Sequence, residues 1–145
     1  MERRSINVYI DISIRGIKAT DGKIGYVLES IYPTGPLTLT QIEEVEQVTP
    51  QKAALLVAIS AIQRIRGNHE IVIFTESEYL SMGFIQGWVY EWQKSNWINS
   101  KGKPVANKEE WQKLLFLLNG KSFSFQVNQP HSYREWLKKE VNKEE

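Results

Sequence analysis

Two strand-like segments, each associated with one acidic residue, constrain the fold of this chain more than any other feature. In the first, residues 6–14, isoleucine and valine alternate along one face while Asp11 lies on the other. In the second, residues 71–75, a continuous apolar run is followed directly by Glu76. We therefore predict that two strands deliver two carboxylates to the same end of a sheet.

The composition restricts the class of protein. A length of 145 residues suffices for one domain, which we predict over residues 1–141, with a charged tail at 142–145. Because cysteine is absent, the chain has neither disulfides nor a thiolate metal site, which suits a cytoplasmic protein. No apolar run is long enough to span a bilayer, so no membrane association is expected. The formal charge of +1 leaves nucleic-acid binding to a local patch.

Two further strands are expected between the acidic segments. Residues 23–30 and 37–48 have strand character, and the turn at 32–36 contains proline and glycine. Asp21 and Gly22 form a hairpin signal ahead of the first of these strands. Three strands joined by short turns predict an antiparallel meander.

The hydrophobic period then changes from that of a strand to that of a helix. Thr49 suits the N-cap position, Pro50 suits the first turn, and apolar residues continue at helical spacing to Ile65. Because the helix is apolar almost all round, we expect it to lie buried across the sheet. After a turn at 67–68, residues 71–75 form a strand parallel to the first, since a helix connects the two.

The C-terminal half contains a helical insert, a fifth strand and a last helix. Ser77 can cap a helix that continues to about Trp92, and a capping-box-like sequence at 107–110 begins another. A strand follows at 123–127, and residues 132–135 are interpreted as a capping box for the last helix. The inward residues of that helix are predicted to be Trp136, Leu137 and Val141.

The complete order is βββαβ, a helical insert, then βα. It predicts an α/β domain with a five-stranded mixed sheet, in which three antiparallel strands are followed by two parallel ones, and with helices on both faces. The insert and its surroundings also contain a motif of four tryptophans and one asparagine, namely Trp88, Trp92, Trp97, Asn107 and Trp111. In this order and spacing the chain resembles type I ribonuclease H over nearly its whole length.

The resemblance implies a groove for an RNA/DNA hybrid. In the family the tryptophans and a basic handle contact the DNA strand, and the asparagine helps to hold a phosphate or the RNA strand. The nucleic-acid-binding residues expected here are Trp88, Trp92, Trp97, Lys94, Lys101, Lys103 and Asn107. Core packing is the alternative for the tryptophans, because Trp88 and Trp92 lie four residues apart on one helix face.

The resemblance also implies a two-metal hydrolytic centre, for which the family uses Asp, Glu, Asp and Asp. Asp11 matches the first position, and Glu76 replaces the third with a side chain one methylene longer. Gln51 stands at the second position, and Lys138 or Lys139 stands at the fourth, where a cation can take the electrostatic place of a metal ion. We therefore predict a degenerate site with two remnant acids and two substituted ligand positions. It requires no cofactor and binds Mg²⁺ or Mn²⁺ weakly if at all.

Residues around this site also differ from the family. Ile12 replaces the glycine that follows the first acid, and it can crowd the substrate backbone. His131 lies in a shortened loop, where it either stands in for the mobile histidine of the family or is a surface residue. The other acids that could complete the site are Glu43, Glu44, Glu46, Glu135 and Glu140.

These features predict a ribonuclease H-like domain that binds an RNA/DNA hybrid or structured RNA and has lost or weakened hydrolysis. Two alternatives stay open. The first is an active ribonuclease H with a remodelled, manganese-tolerant site. The second is a protein-interaction scaffold that resembles the connection domains of reverse transcriptases, with a protein partner. The oligomeric state is not predicted.

Overall fold

The computed structural model describes residues 4–67 and 69–144. Residues 1–3, Asn68 of the predicted turn and Glu145 of the predicted tail lie outside this range. No helix within it is long and apolar enough to cross a membrane. The elements in chain order are β1 (Arg4–Ile12), β2 (Thr20–Tyr32), β3 (Gly35–Val48), α1 (Pro50–Ile62), β4 (His69–Thr75), α2 (Glu78–Ile85), α3 (Trp88–Lys94), α4 (Lys108–Leu118), β5 (Ser122–Val127) and α5 (Arg134–Val141).

The strands form one mixed sheet in the order β3-β2-β1-β4-β5. β1, β2 and β3 pair antiparallel, whereas β4 lies parallel to β1 and β5 lies parallel to β4. The predicted fold class and strand directions are therefore confirmed. In this register Asp11 lies opposite Gly25, and Val8 lies beside Ile73. The carboxyl ends of β1 and β4 consequently meet at the same edge of the sheet.

The β2–β3 hairpin is longer than the sequence predicts. Its strands extend to Tyr32 and Gly35, which pair with each other. The prediction of a hairpin turn at Asp21 and Gly22 is wrong, because both residues lie within β2 at an irregularity in its pairing with β3. There the Asp21 carboxylate accepts a 2.9 Å hydrogen bond from the backbone N–H of Gln47, whose φ is 48°. This side-chain hydrogen bond stabilises the backbone where the regular hydrogen bonding between β2 and β3 is interrupted.

α1 covers one face of the sheet as predicted. The Thr49 hydroxyl accepts a 3.2 Å hydrogen bond from the Lys52 backbone N–H, and Pro50 occupies the first turn. The helix ends at Ile62, so that Ile65 is buried just outside it. Its buried residues pack against the apolar face of β1, β2 and β4 and form the main core of the domain. They are Ala53, Ala54, Leu55, Val57, Ala58, Ile59, Ala61 and Ile62.

α5 covers the opposite face through a smaller apolar contact. Leu137 and Val141 pack there against Tyr9 and Val27. Gly25 permits the close approach, because a Cβ at this position would lie 2.9 Å from the Val141 side chain. Since Gly25 lies opposite Asp11 in the sheet, the glycine also brings α5 close to the first acid.

Two predictions about α5 are wrong. Trp136 was expected to face inward, yet it is 43% exposed, while Leu137 and Val141 form the buried side of the helix. The predicted capping box is also absent, because the N-cap is Tyr133 and no side chain caps the helix. The helix therefore begins one residue later than the capping-box sequence indicates, and Trp136 turns away from the sheet.

The insert contains three helices instead of two. The helix predicted from Ser77 to about Trp92 is divided at Gly87, whose φ of 77° ends the helical geometry. Ser77 does cap α2, since its hydroxyl accepts a 3.1 Å hydrogen bond from the Leu80 backbone N–H. At the start of α4, Asn107 has a φ of 58° and its side chain caps no backbone group, so the predicted capping box is wrong there as well.

Candidate functional site

Asp11 in β1 and Glu76 directly after β4 lie at one edge of the sheet, on the face covered by α5. Lys138 of α5 lies between them. Its Nζ is 3.2 Å from Asp11 Oδ2 and 2.9 Å from Glu76 Oε2. The Asp11 carboxylate is held further by a 2.8 Å hydrogen bond from the backbone N–H of Ile12. Three of the four predicted ligand positions therefore converge.

Three basic side chains surround Glu76. Besides Lys138, Arg134 places its Nε 3.8 Å from Glu76 Oε2, and Arg15 acts from a longer distance. Burial alone would raise the pKa of Glu76, but the Lys138 hydrogen bond and the three positive charges outweigh burial and lower the pKa. Burial likewise disfavours the charged form of Lys138, but its pKa is raised by Glu76 and Asp11. The pair of Lys138 and Glu76 is therefore ionised at neutral pH.

The residues at this edge do not fit the two metal ions that the family resemblance implies. Two-ion hydrolysis requires several carboxylates that are free to bind the ions. Here both Asp11 and Glu76 contact an ammonium group. Within residues 4–67 and 69–144, no group of three or more His, Cys, Asp or Glu side chains is placed to hold a metal ion. The positive charge between the two carboxylates belongs to Lys138.

A cavity of about 350 Å³ opens beside the two acids. Gln51, at the start of α1, lines it together with Asp11 and Glu76, so the predicted second ligand position faces the same space with a neutral amide. Ile12 and Ile14 contribute to its largely apolar wall. Ile12 therefore faces the space beside the two acids.

The other candidates for the site lie outside it. Lys139 is exposed, so the geometry favours Lys138 at the fourth position. Glu43 accepts a 3.3 Å hydrogen bond from Ser60, and Glu140 pairs with Lys143 at 3.4 Å. The remaining acids, exposed on β3 or α5, are Glu44, Glu46 and Glu135.

A hydrogen-bond network next to the site was not predicted from the sequence. Glu29 of β2 is only 9% exposed. Its carboxylate accepts hydrogen bonds from Tyr133 at 2.5 Å and from Tyr9 and Asn7 at 3.0 Å. Burial alone would raise the pKa of Glu29, but these bonds lower it, and Glu29 in turn raises the pKa of Tyr133 to about 12. Because Tyr133 is the N-cap of α5, the network fixes the start of the helix that carries Lys138.

His131 also lies beside the two acids. Its ring is half-buried, with a centroid 4.5 Å from that of Tyr9, and it lines a small cavity together with Asp11 and Glu76. His131 is therefore a half-buried loop residue beside the two acids. Burial and the charge of Arg134 lower its pKa, against the opposing effect of the acids. His131 is consequently neutral at neutral pH.

The tryptophans of the insert form a cluster of tilted rings that runs from the surface into the core. The ring centroid of Trp92 lies 6.1 Å from that of Trp88, 6.2 Å from that of Trp97 and 5.5 Å from that of Trp111. Trp88 is 38% exposed, whereas Trp97 and Trp111 are 7% and 0% exposed. The ring of Trp97 is buried and offers little of its face to a base. Trp88 and the half-buried Trp92 are the tryptophans that reach the surface.

The polar residues predicted to bind nucleic acid also divide into exposed ones and one that is hydrogen-bonded within the protein. Lys94, Lys101 and Lys103 are exposed. Asn107 is instead turned towards α2, where its Nδ2 donates a 3.2 Å hydrogen bond to the Tyr79 hydroxyl. The lysines and Trp88 therefore form the accessible surface of the insert, which we call the handle surface.

Comparison with known proteins identifies the family. The sequence profile of RNase H matches residues 3–135. The chain belongs to the ribonuclease H family. The ribonuclease H of Acetivibrio thermocellus is 31% identical over 116 residues, which cover 80% of this chain and 76% of that protein. The ribonuclease H of Caldanaerobacter subterraneus subsp. tengcongensis is 27% identical over 133 residues, with 92% and 76% of the two chains covered.

Solved structures share the fold of this chain. LC9-RNase H1, a type 1 RNase H with the type 2 active-site motif, superposes with a TM-score of 0.75 at 21% identity, covering 94% of this chain and 70% of that one. The foamy viral protease-reverse transcriptase in complex with an RNA/DNA hybrid superposes with a TM-score of 0.67 at 16% identity, covering 95% of this chain and 19% of that one. At these identities the likeness establishes the fold alone.

Proposed function

We propose that this ribonuclease H-family domain binds an RNA/DNA hybrid or structured RNA and hydrolyses it weakly or not at all. The observation that carries the proposal is the ammonium group of Lys138 between Asp11 and Glu76. A metal ion would have to displace this ammonium or bind beside it. Two carboxylates shared with a lysine supply too little negative charge to dehydrate Mg²⁺.

The handle surface supports a role in binding nucleic acid. It combines an exposed aromatic face, Trp88, with exposed lysines on the same insert. Aromatic faces stack on bases and lysines contact phosphates. Because the whole chain carries a formal charge of only +1, such a local patch has to provide most of the electrostatic attraction.

An RNA/DNA hybrid is the first ligand to test. The structurally similar foamy viral protein was solved in complex with one, and relatives in sequence are ribonucleases H. Fluorescence anisotropy with a short labelled hybrid measures affinity at several salt concentrations. The same hybrid, incubated with Mg²⁺ or Mn²⁺ and separated on a gel, measures cleavage. We expect salt-dependent binding and little or no cleavage with either ion.

A matched pair of variants separates specific phosphate contacts from general charge. Lys101→Gln with Lys103→Gln removes two charges from the handle surface. Arg66→Gln with Lys121→Gln removes two charges near the opposite end of β4 and β5. We expect the first variant to lower the slope of log affinity against log salt by about 0.9 for each true contact, and the second to leave the slope unchanged.

Other results would support the alternatives. Rapid cleavage of the hybrid with Mn²⁺ would contradict the loss of hydrolysis and favour an active enzyme with a remodelled site. Absence of binding to hybrid and to structured RNA at low salt would contradict nucleic-acid recognition and favour a protein-interaction scaffold.

A further inference from the structure

The site at Asp11 and Glu76 is unusual because basic groups there have hydrogen-bond donors left unused. The ammonium of Lys138 has three N–H groups, and its contacts with the two acids occupy two of them. The guanidinium of Arg134 carries five N–H donors. It lies 3.8 Å from Glu76, and its side chain donates no hydrogen bond to any group in the described part of the chain.

These unused donors belong to side chains that reach the surface, since Arg134 is 40% exposed and Lys138 is 37% exposed. Arg134 lines a small cavity together with Asp11, Glu76 and His131. Arg15 lines the larger neighbouring cavity, where one of its terminal nitrogens donates to the backbone carbonyls of residues 12 and 14 at 3.0 and 3.3 Å. Those bonds fix the guanidinium near the site while leaving its other nitrogen donors available.

The acidic groups of the site weaken its electrostatic attraction for an anion. Asp11 and Glu76 contact Lys138, and Glu78 lines the larger cavity. The three basic groups, Lys138, Arg134 and Arg15, balance these three acids. The nearby carboxylate of Glu29 is already bound by Tyr133, Tyr9 and Asn7. A site of balanced charge does not concentrate divalent cations, but it can accept one anionic group that fits between unused N–H donors. Arginine is suited to this role because its planar donors match the oxygens of a phosphate.

We propose that Arg134 and Lys138 bind one backbone phosphate of the nucleic acid directly, at the edge of the sheet where the remnant acids lie and without a metal ion. The proposal rests on the proposed function, since it assigns a phosphate contact within the same groove. His131 is neutral and packed against Tyr9, so it limits the site on one side without adding charge. The contact anchors the strand that enters the groove while the lysines of the handle surface hold it further along.

The experiment uses hybrids in which one phosphate at a time is replaced by an uncharged methylphosphonate. Binding is measured by anisotropy in the presence of a chelator, for the wild-type protein and for Arg134→Gln. We expect the wild type to bind the unmodified hybrid equally well with chelator and with Mg²⁺. Arg134→Gln should weaken binding roughly tenfold, as expected for the loss of a charge-assisted hydrogen bond. One neutral linkage should weaken the wild type by a similar factor and have no further effect on Arg134→Gln.

Two control variants keep the result interpretable. Lys139→Gln removes an exposed charge from the same helix outside the site, and we expect it to bind as the wild type does. Arg134→Lys keeps the charge but not the planar donors, and we expect it to recover part of the lost affinity. Circular dichroism confirms that each variant is folded.

The outcomes separate this inference from the function on which it rests. If Arg134→Gln binds the hybrid as tightly as Lys139→Gln does, the phosphate contact is refuted while hybrid binding stands. Binding that disappears on chelation refutes the metal-free contact. If the wild type binds neither hybrid nor structured RNA, the proposed function fails and the inference fails with it.

Discussion

The sheet is covered by α1 on one face and by α5 on the other, and the two interfaces are built from different residue types. Under α1 the contacts are almost entirely apolar, with Leu55 and Val57 fully buried. Under α5 a short apolar contact at Leu137 is joined by a carboxylate, Glu29, that binds a tyrosine hydroxyl at the start of the helix. The interface under α1 stabilises the fold through its buried apolar area. The interface under α5 also fixes the orientation of the helix through hydrogen bonds.

This difference has a functional consequence. Gln51, on α1, lines the cavity with an exposed neutral side chain. α5 instead delivers the groups that contact Asp11 and Glu76, namely Arg134 and Lys138. Hydrogen bonds that fix α5 therefore also fix the charge pattern of the site. The apolar interface under α1 therefore determines the fold, and the more polar interface under α5 determines which charged groups the site presents.

The largest expected effect is loss of packing under α1. Leu55→Ala removes a fully buried side chain, and we expect it to lower the free energy of unfolding by about 2 to 5 kcal/mol. Leu56→Ala, at a half-buried position of the same helix, should cost clearly less. Urea unfolding followed by circular dichroism measures both. Equal losses would contradict the description of this face as a densely packed core.

A smaller effect is expected from the network under α5. Tyr133→Phe removes the hydroxyl that donates to Glu29 and should cost about 1.5 kcal/mol, the low end for a bond to a charged group, because Tyr133 is partly exposed. Tyr90→Phe is the control, since Tyr90 is an exposed tyrosine outside the network, and its unfolding free energy should stay within about 0.5 kcal/mol of the wild type.

Tyr133→Phe should also affect the site. With the start of α5 less constrained, Lys138 is held less firmly between the acids, and hybrid binding should weaken even though Tyr133 contacts no ligand. A variant that loses stability but keeps full affinity and an unchanged salt slope would show that the network does not position the site.

The smallest expected effect is on pH dependence. The pKa of Glu29 lies below its ordinary value of 4.5 in the folded state. A carboxyl with a lowered pKa contributes stability above its unfolded-state pKa, and this contribution is lost as pH falls through the folded-state pKa. Stability should therefore decline below about pH 4.5, and Glu29→Gln should make the decline shallower. Burial opposes the hydrogen bonds, so the two effects partly cancel in the pKa of Glu29. An identical decline in wild type and variant, measured by urea unfolding, would assign it to other acids.

The two faces also differ in how far the sequence predicts them. The helical period and the cap at Thr49 identify α1 directly, because local spacing encodes a buried helix. The acids at Asp11 and Glu76 are equally visible, since each belongs to a recognisable strand. Lys138 was placed only through the family resemblance, with Lys139 left open, because one residue of register on a helix changes the direction of a side chain by a large angle.

The network under α5 could not be predicted from local patterns. Glu29 and Tyr133 are 104 residues apart, and only the sheet register with the position of α5 brings them together. One signal was available, since Glu29 shares the alternating positions of Val27, which face α5. An acid at an inward position of an apolar strand indicates a buried partner but not its identity. Trp136 lies outside the buried side of α5 because that side is set by Leu137 and Val141, four residues apart, and the residue next to Leu137 points in another direction.

If Lys138 takes the place of a metal ion between Asp11 and Glu76, the wild-type protein has no Mg²⁺ site at this edge, and its thermal unfolding can be followed during a magnesium titration. We expect Mg²⁺ to leave the unfolding midpoint of the wild type unchanged. We expect the combined variant Gln51→Glu, Glu76→Asp and Lys138→Asp to gain stability with Mg²⁺, by about 2.7 kcal/mol at a hundredfold excess over the dissociation constant. A saturable rise of the wild-type midpoint that Asp11→Asn abolishes would show that Lys138 does not replace the metal ion.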